Sequence, residues 1–520
     1  MSTTEGTAET AAGTVRGELA KGLTIWRGIP YAAPPVGSLR FGPPRPAEPW
    51  AGVLDTTARG QLAWQPEPRD MLTADYREQV RSEDCLYLNV TAPPEPSADP
   101  RGYPVLVWIH GGGYVEGSGG DPIVGDGEAL ARRGLVVVTF NYRLGALGFV
   151  YLADVLPQYA DAGQAGFLDQ VAVLRWVRDN IASFGGDPGR VTVYGESAGA
   201  KSVVNLLASP LATGLISRAI SASGGEHLAS PEQATRLRRR LLRALGLPAD
   251  RADQLADVPA PELIAAQEAI ATAQRGTWVW RPVLGGSGIP VRPVDAIAAG
   301  QAGGIPLLAG TNGNEGASYQ LMDPTAAKQA PRVLAELFGG ADADDMLAGY
   351  RQARPELDDT AINVAVLGDE RYAIPTRRLA LAQAAHAPVW CYRYDGCPPG
   401  VPTDLAGGHG LDLIAVWMAD SFATEARAGD PQARLCLAMA DAWAAFARGL
   451  PPGNGMTSER GGGPPMAARM PAWPGFDAAD ETTLILDAQP HGQHHPRAAQ
   501  HAIWRDRTWQ SGTWWPLEDI

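Results

Sequence analysis

The pattern of apolar and polar positions divides the middle of the chain, residues 103–228, into alternating strand-like and helix-like segments. Two near-continuous apolar runs, 105–109 and 135–140, are typical of strands that are covered on both faces. Residues 166–184 carry apolar side chains at helical spacing, which predicts an amphipathic helix. This alternation predicts an α/β fold with βαβ units and a large, mostly parallel sheet.

The segments on either side of this core have other patterns. Residues 13–50 are rich in Gly and Pro and predict β-hairpins followed by an extended strap. After the core, the patterns predict helical insertions over 231–274 and 323–387, buried strands at 305–309 and 389–394, and a mobile loop over 451–467. No linker clearly divides the chain, so we expect one domain over residues 8–508 and a C-terminal tail over 509–520.

Charge and cysteine content narrow the class of partner. The 520 residues carry a formal net charge of -14, which argues against nucleic acid or an anionic membrane surface and favours a neutral or cationic small molecule. The N-terminus lacks the basic and apolar regions of a signal peptide, and no apolar run is long enough to span a bilayer. Four cysteines do not make a disulfide framework in so long a chain, so we expect reduced thiols in a cytosol; a bridge between Cys391 and Cys397 stays open.

A candidate nucleophile lies where a β-branched stretch, 191–194, meets a Gly-x-Ser-x-Gly turn centred on Ser197. A serine at a tight strand-to-helix turn is exposed and strained, and Gly195 and Gly199 leave room for the backbone around it. The same residues nearly spell a phosphate-binding loop, Gly-x-x-x-x-Gly-Lys-Ser. Ala200 stands where that loop usually needs Gly, so we favour the nucleophile, with a helix over 198–207 and a further strand at 218–221.

A serine nucleophile needs donors for the oxyanion and a base for its proton. The three glycines after His110 directly follow a predicted strand, so the N–H groups of Gly112 and Gly113, with that of Ala198, are candidates for the oxyanion hole. Of the eight histidines, His409 alone follows a strand through a Gly-rich loop, from which it could reach another strand end.

Two other charged clusters suggest less specific roles. His491, His494, His495 and His501 lack companion cysteines and tight helical spacing, so a polar surface loop is favoured over a metal site. The arginine-rich run 236–240 is interpreted as a solvated helix face.

Several segments together resemble the type-B carboxylesterase branch of the α/β-hydrolases, a family that also contains cholinesterases and bacterial para-nitrobenzyl esterases. They cover the N-terminal half almost continuously. The matching segments are RGIPYAAPPVGSLRF (27–41), SEDCLYLNV (82–90), HGGGY (110–114), FNYRLGALGF (140–149), FGGDP (184–188) and GESAGA (195–200).

The resemblance implies the α/β-hydrolase fold and a Ser, Glu, His order of catalytic residues. It points to Glu315 as the acid, although Asn314 stands where the family commonly has Asp, and the His409 segment is similar to the family's histidine segment. It further implies a supporting role for Glu196 next to the nucleophile. Ion pairs that hold loops below the site are implied for Arg40 with Glu83 and for Arg143 with Asp169.

The expected function is that of a serine carboxylesterase acting on neutral carboxylic esters through an acyl-enzyme on Ser197, with no metal or organic cofactor. A carbamate, amide or thioester substrate stays open, and a non-catalytic binding protein on the same fold is a further alternative.

No cysteine precedes Cys85, whereas secreted relatives pair it with an upstream cysteine, which favours a bacterial-type cytoplasmic enzyme. We expect a monomer or a weak homo-oligomer. Helical insertions are expected to form the pocket. The aromatic wall candidates, each more often found in a core, are Tyr114, Trp278, Trp280 and residues around Tyr319 and Trp417.

Overall fold

The computed structural model of the chain describes residues 6–67, 79–272, 279–454 and 470–509. The loop predicted over 451–467 and the tail predicted from residue 509 therefore lie largely outside the described residues. The strands in these ranges are β1 (Thr7–Thr10), β2 (Gly13–Arg16), β3 (Glu18–Ala20), β4 (Leu23–Pro30), β5 (Val53–Asp55), β6 (Leu62–Ala63), β7 (Arg81–Ser82), β8 (Tyr87–Ala92), β9 (Tyr103–Ile109), β10 (Val136–Phe140), β11 (Gly186–Glu196), β12 (Arg218–Ala222), β13 (Leu307–Asn312), β14 (Val389–Tyr394), β15 (Thr483–Leu486) and β16 (His491–Gln493).

Helices connect and cover these strands. A π-helical turn, Asp369–Ala373, joins two of them, and a 3-10 turn, Ile181–Phe184, extends another. The α-helices in the described ranges are α1 (Glu128–Ala131), α2 (Gly145–Phe149), α3 (Ala165–Asn180), α4 (Ala198–Ala208), α5 (Pro231–Ala244), α6 (Ala260–Thr272), α7 (Pro293–Ala298), α8 (Gly316–Met322), α9 (Ala330–Phe338), α10 (Gly340–Ala353), α11 (Asp359–Gly368), α12 (Ile374–Ala384), α13 (Leu411–Trp417), α14 (Ala423–Arg427), α15 (Pro431–Ala447) and α16 (Ala498–Trp504).

The central sheet has 11 strands in the order β16-β15-β14-β13-β12-β11-β9-β10-β8-β4-β3. The strands from β15 to β10 pair in parallel, whereas β16 at one edge and β8, β4 and β3 at the other pair antiparallel. The carboxyl ends of the parallel strands therefore meet at one edge of the sheet, where α/β folds place their sites. The N-terminal hairpins contribute both to this sheet and to a small sheet of order β1-β2-β5.

Both faces of the central sheet are buried. On β9, Val105, Val107 and Ile109 pack into a core that includes α3, whereas Leu106 and Trp108 pack into a second core built largely from α13 and α15. Successive side chains of a strand point to opposite faces, so a strand covered on both sides is apolar at every position. This explains the continuous apolar runs in the sequence.

Two local expectations need adjustment. The helix predicted over 166–184 is α3 followed by a 3-10 turn. The helical backbone tightens after Asn180, and the 3-10 turn is capped by Gly185, whose φ is 80°.

The arginine-rich run lies on α5, but Arg238 is buried rather than solvated. Its Nη2 donates to Oδ2 of Asp154 at 3.0 Å and its Nη1 to the carbonyl of Tyr151 at 2.8 Å.

Among the helices that the structure describes, none has both the length and the apolar character needed to cross a membrane.

Candidate active site

Three loops bring the candidate catalytic residues to the carboxyl edge of the sheet. Ser197 directly follows β11, Glu315 follows β13, and His409 lies in the loop between β14 and α13. The parallel order β14-β13-β12-β11 places these loops side by side although the residues are far apart in the sequence. The structure thus brings together the three residues that the sequence singled out.

Ser197 occupies a strained turn between β11 and α4. Its φ is 55° and its ψ is -121°, a conformation that non-glycine residues rarely adopt. The two flanking glycines allow this turn, because a Cβ on Gly195 would lie 2.3 Å from the carbonyl carbon of Gly199, and a Cβ on Gly199 would lie 1.9 Å from the carbonyl oxygen of Ile109. The segment is therefore a strand-turn-helix in which β9, β11 and α4 approach closely.

The imidazole of His409 connects the serine to the acid. Its Nε2 lies 3.0 Å from Oγ of Ser197, and its Nδ1 lies 2.6 Å from Oε2 of Glu315. The other carboxylate oxygen of Glu315 accepts hydrogen bonds from Oγ of Ser223 at 2.6 Å and from the backbone N–H of Asn312 at 2.7 Å. These bonds fix the carboxylate, so that a proton on Nδ1 faces Glu315 and Nε2 faces the serine.

Opposite charges change the proton affinities of this pair. Burial acts to raise the pKa of Glu315, but the charge of His409 and the hydrogen bonds to the carboxylate lower it on balance. Burial acts to lower the pKa of His409, but the nearby carboxylates of Glu196 and Glu315 outweigh burial and raise it. An imidazolium ion is therefore favoured at this position, and that is the species formed when the imidazole takes a proton from a serine.

Glu196 is a second carboxylate beside the imidazole. Its Oε1 lies 3.2 Å from Nε2 of His409, and burial raises its pKa to about 8 against the opposing effect of His409. The carboxylate also lies close to the glycine loop, since a Cβ on Gly111 would come within 2.7 Å of its Oε2.

The glycine loop after β9 has a left-handed backbone at two of its residues. Gly112 has a φ of 94° and Gly113 a φ of 61°, and a Cβ on Gly112 would lie 2.2 Å from the carbonyl oxygen of Glu116. Ala198 is the first residue of α4, and the N–H groups of a helix's first turn have no partner within the helix. His110, which begins the loop, stacks on Tyr142 with ring centroids 4.3 Å apart.

Sequence reasoning missed several residues around His409. Tyr372 stacks on the imidazole with ring centroids 4.5 Å apart, next to the wall candidate Tyr319, whose ring centroid lies 5.4 Å from that of the imidazole. Ser223, at the end of β12, holds Glu315, and Asp412 accepts hydrogen bonds from Asn312 and Tyr392. A signal existed only for Ser223, because it follows the neighbouring strand at the same edge of the sheet.

Both ion pairs implied by the resemblance are present. Arg40 donates from Nε and Nη2 to the carboxylate of Glu83 at 2.7 and 2.6 Å. Arg143 does the same to Asp169 at 2.8 and 2.7 Å, and both of these side chains are buried. Bidentate geometry holds the loops that carry them in one orientation.

The structure also locates the cysteines, the possible metal ligands and the aromatic wall candidates. All four cysteines are free thiols, which excludes the bridge between Cys391 and Cys397 in this structure. Among the described residues, no group of three or more His, Cys, Asp or Glu side chains could hold a metal ion. Of the aromatic wall candidates, Tyr319 lies beside His409, whereas Trp278 lies outside the described residues and the others are core residues: Tyr114, Trp280 and Trp417.

Comparisons with known proteins agree with this arrangement. The model of the carboxylesterase family matches residues 4–504. The chain is 38% identical over 496 residues to a para-nitrobenzyl esterase of Bacillus subtilis (strain 168), covering 94% of this chain and 96% of that protein. It also superposes on a solved PNB esterase with a TM-score of 0.81 and 34% identity, and on a carboxylesterase of Geobacillus stearothermophilus with a TM-score of 0.79 and 33% identity, each over 96% of this chain and 100% of the other.

The fold is therefore that of the α/β-hydrolases, as predicted. Within that class, the chain belongs to the carboxylesterase family. It is a serine carboxylesterase, an enzyme that hydrolyses small carboxylic esters.

Proposed function

We propose that Ser197, His409 and Glu315 form the catalytic triad of this enzyme. The observation that carries the proposal is the pair of contacts made by one imidazole, 3.0 Å from Oγ of Ser197 and 2.6 Å from Oε2 of Glu315. A serine hydroxyl is a weak nucleophile at neutral pH and needs a base within hydrogen-bond reach, which must itself be oriented. These two distances meet both requirements.

The reaction then runs in two halves. Nε2 of His409 takes the proton of Ser197 while Oγ attacks the ester carbonyl, and Glu315 stabilises the imidazolium ion. The imidazolium returns the proton to the leaving alcohol, and an acyl group stays on Ser197. Water, activated by the same imidazole, attacks that acyl group and releases the acid and the free serine.

The N–H groups of Gly112, Gly113 and Ala198 are proposed to stabilise the oxyanion formed in both halves. Their support is the left-handed glycine backbone after β9 and the position of Ala198 at the start of α4. Donors fixed in place before the reaction stabilise developing charge without having to reorganise. Glu196 is proposed to assist by stabilising positive charge on His409.

An active-site label tests the nucleophile. Incubation with an organophosphonate is expected to give a single adduct on Ser197, and Ser197→Ala is expected to lower kcat for p-nitrophenyl butyrate by about 10³-fold or more. Ser209→Ala, a serine that caps a 3-10 turn after α4, is the matched control and is expected to keep its activity. An adduct elsewhere, or full activity in Ser197→Ala, would overturn the triad.

The scissile bond and the cellular setting complete the proposal. An ester is favoured over a carbamate, amide or thioester, and a matched p-nitrophenyl ester, carbamate and anilide distinguish these bonds by their relative rates.

We also propose a bacterial-type cytoplasmic location and a monomer or weak homo-oligomer. The support for the location is the set of four free thiols, three of them buried.

A further inference from the structure

Lys201 is a buried lysine that the reaction described above does not use. It lies on the first turn of α4, shortly after Ser197, and its relative exposure is 3%. In the sequence it occupies the lysine position of the segment that nearly spells a phosphate-binding loop. A buried amino group is costly unless polar partners replace the water that it loses. The partners of Lys201 therefore indicate what the side chain does.

The amino group of Lys201 joins segments that are distant in the sequence. Its Nζ donates to the carbonyl oxygen of Gly224 at 3.0 Å and to that of Arg371 at 3.4 Å. It also lies 4.4 Å from the ring centroid of Tyr372, which is within the range of a cation–π contact. One side chain thus connects α4 with the loop after β12 and with the π-helical turn Asp369–Ala373.

Each of these three segments supports one member of the proposed triad. The helix α4 begins directly after Ser197. The loop after β12 begins with Ser223, whose Oγ donates to Oε1 of Glu315 at 2.6 Å. The π-helical turn carries Tyr372, whose ring stacks on the imidazole of His409 with centroids 4.5 Å apart and planes at 25°. A single amino group therefore links the surroundings of all three residues.

Tyr372 is the link that reaches the imidazole directly. Its ring contacts both the amino group of Lys201 and the ring of His409, and its hydroxyl shares a hydrogen bond with the hydroxyl of Tyr319. A displacement of this ring away from the imidazole would break one of the contacts that hold it. π-Helical turns are rare and are often found at functional sites. The turn therefore presents Tyr372 to the imidazole in a fixed orientation.

The hydrogen bonds of Lys201 do not require its charge. Burial lowers its pKa to about 7, and the positive charge of Arg371 acts in the same direction. The carboxylates of Glu315, Glu370 and Glu196 oppose this effect. A neutral amine still has two N–H groups, and Nζ donates to two carbonyl oxygens. The connection between the segments is therefore kept above neutral pH.

We propose that Lys201 is a positioning residue that acts on His409 through the ring of Tyr372. Its amino group keeps this ring against the imidazole, which keeps Nε2 directed at Ser197 and Nδ1 directed at Glu315. A misplacement of a reacting group by about 1 Å can lower the rate about 10²-fold. The proposal rests on the triad proposed above and adds a residue that supports the base of that triad.

Lys201→Met tests the role of the amino group, because methionine keeps an apolar stem and removes the donor. We expect kcat for p-nitrophenyl butyrate to fall about tenfold and KM to change less than about twofold, since the base is misplaced while ester binding is kept. Asn205→Leu is the matched control. Asn205 is buried one turn further along α4, and within the described residues its side-chain polar atoms have no hydrogen-bond partner. Its kcat is expected to stay at the wild-type value.

A double-variant cycle tests whether Lys201 acts through Tyr372. Tyr372→Leu is expected to lower kcat at least as much as Lys201→Met, and the double variant is expected to lose no more than Tyr372→Leu alone. Losses that multiply would show that Lys201 acts by another route and would overturn the proposal. Wild-type kcat in Tyr372→Leu would overturn it as well. All rates are normalised to the folded fraction from circular dichroism, so that a loss of stability is not counted as a loss of kcat.

The hydrogen bond between His409 and Glu315 gives a readout that does not depend on turnover. Its Nδ1–Oε2 distance is 2.6 Å, and the proton of so short a charge-assisted bond is expected to give a low-field resonance in the proton NMR spectrum. This resonance should shift or broaden in Lys201→Met and stay unchanged in Asn205→Leu. An identical resonance in Lys201→Met and wild type would contradict the positioning role.

The outcomes separate this proposal from the previous one. If Lys201→Met keeps the wild-type kcat while Ser197→Ala is inactive, Lys201 is not a positioning residue and the triad stands. If Ser197→Ala hydrolyses the ester at the wild-type rate, the triad is wrong and the role of Lys201 is rejected with it.

Discussion

His409 lies between two buried carboxylates, and the charge of each affects how strongly its ring binds a proton. Only the neutral imidazole can accept the proton of Ser197, so a raised pKa of His409 moves the onset of activity to higher pH. The raised pKa of His409 therefore lowers activity in mild acid, and it stabilises the imidazolium ion that forms during the reaction.

Glu196→Gln should shift the pH dependence of the enzyme. The amide cannot ionise, whereas Glu196, with a pKa raised to about 8, gains a negative charge 3.2 Å from Nε2 of His409 as the pH rises. Without that charge the pKa of His409 should fall, and the acid limb of kcat/KM should move to lower pH. A pH profile with a neutral p-nitrophenyl ester measures this shift. Glu262→Gln, an exposed acid on the first turn of α6, provides the control. An acid limb that stays in place or moves to higher pH would contradict the assigned role of Glu196.

Individual residues also show where sequence reasoning reaches its limit. Ser197 and His409 could be found from local pattern, because a glycine-flanked turn and a glycine-rich loop after a strand are visible in the sequence. Glu315 depended on the family resemblance, since a carboxylate that is buried only by distant strands looks like any surface acid. Lys201 lies on the helix predicted over 198–207, and its contacts with the ring of Tyr372 and the carbonyl of Gly224 are not visible in the local pattern.

At the scale of elements, the close approach of α4 to β9 holds the proposed nucleophile, Ser197. This approach is possible only because Gly199 has no side chain. A methyl group there would have to displace backbone atoms of Ile109, which belong to a central strand and cannot shift easily.

Gly199→Ala is therefore expected to displace Ser197 and to lower kcat for p-nitrophenyl butyrate at least tenfold, with a lower midpoint of thermal unfolding. Stopped-flow measurement of acylation, normalised to the folded fraction from circular dichroism, tests the effect on the site. Gly340→Ala is the control, since a Cβ at the start of α10 meets nothing within 4 Å. Wild-type kcat in Gly199→Ala would show that the turn tolerates the extra methyl group.

The core strands were predictable because burial on both faces leaves a continuous apolar run. The ends of these strands were harder to predict. The strand predicted at 305–309 is β13, Leu307–Asn312, which starts later and ends in two polar residues, Thr311 and Asn312. Asn312 is buried there by its hydrogen bonds to Ser223 and Asp412, which no local pattern reveals. The edge strands and the many short helices of the insertions were predicted only as regions, because their bounds depend on long-range packing.

At the scale of the whole molecule, Arg40 connects parts of the chain that are distant in sequence. Besides its bond to Glu83, its Nη1 donates to the carbonyls of Ala256 and Val258, at 2.8 and 2.6 Å, in the insertion before α6. The N-terminal strap and the insertion are thus held together by one guanidinium group. Arg40 is buried whereas Glu83 is partly exposed, so removing the guanidinium leaves this carboxylate and the backbone carbonyls without their charged donor.

Arg40→Ala is expected to lower the free energy of unfolding by about 1.5–3 kcal/mol, because hydrogen bonds to a charged group are lost. Arg16→Ala is the contrast, because Arg16 pairs with Asp55 on the surface, where an ion pair contributes at most about 1 kcal/mol. Urea unfolding followed by tryptophan fluorescence measures both variants. Equal losses in the two would mean that Arg40 does not hold the strap to the insertion.

The sequence separation of the proposed triad has a consequence for synthesis of the enzyme. Ser197 and His409 are 212 residues apart, and Glu315 and His409 are 94 apart. A ribosome therefore completes the strand and helix of the proposed nucleophile long before it adds the proposed base. Until β14 joins β13 and brings the loop with His409 into place, the growing chain carries an unactivated serine. The first appearance of esterase activity during translation or refolding thus marks the time at which the C-terminal half of the sheet is assembled.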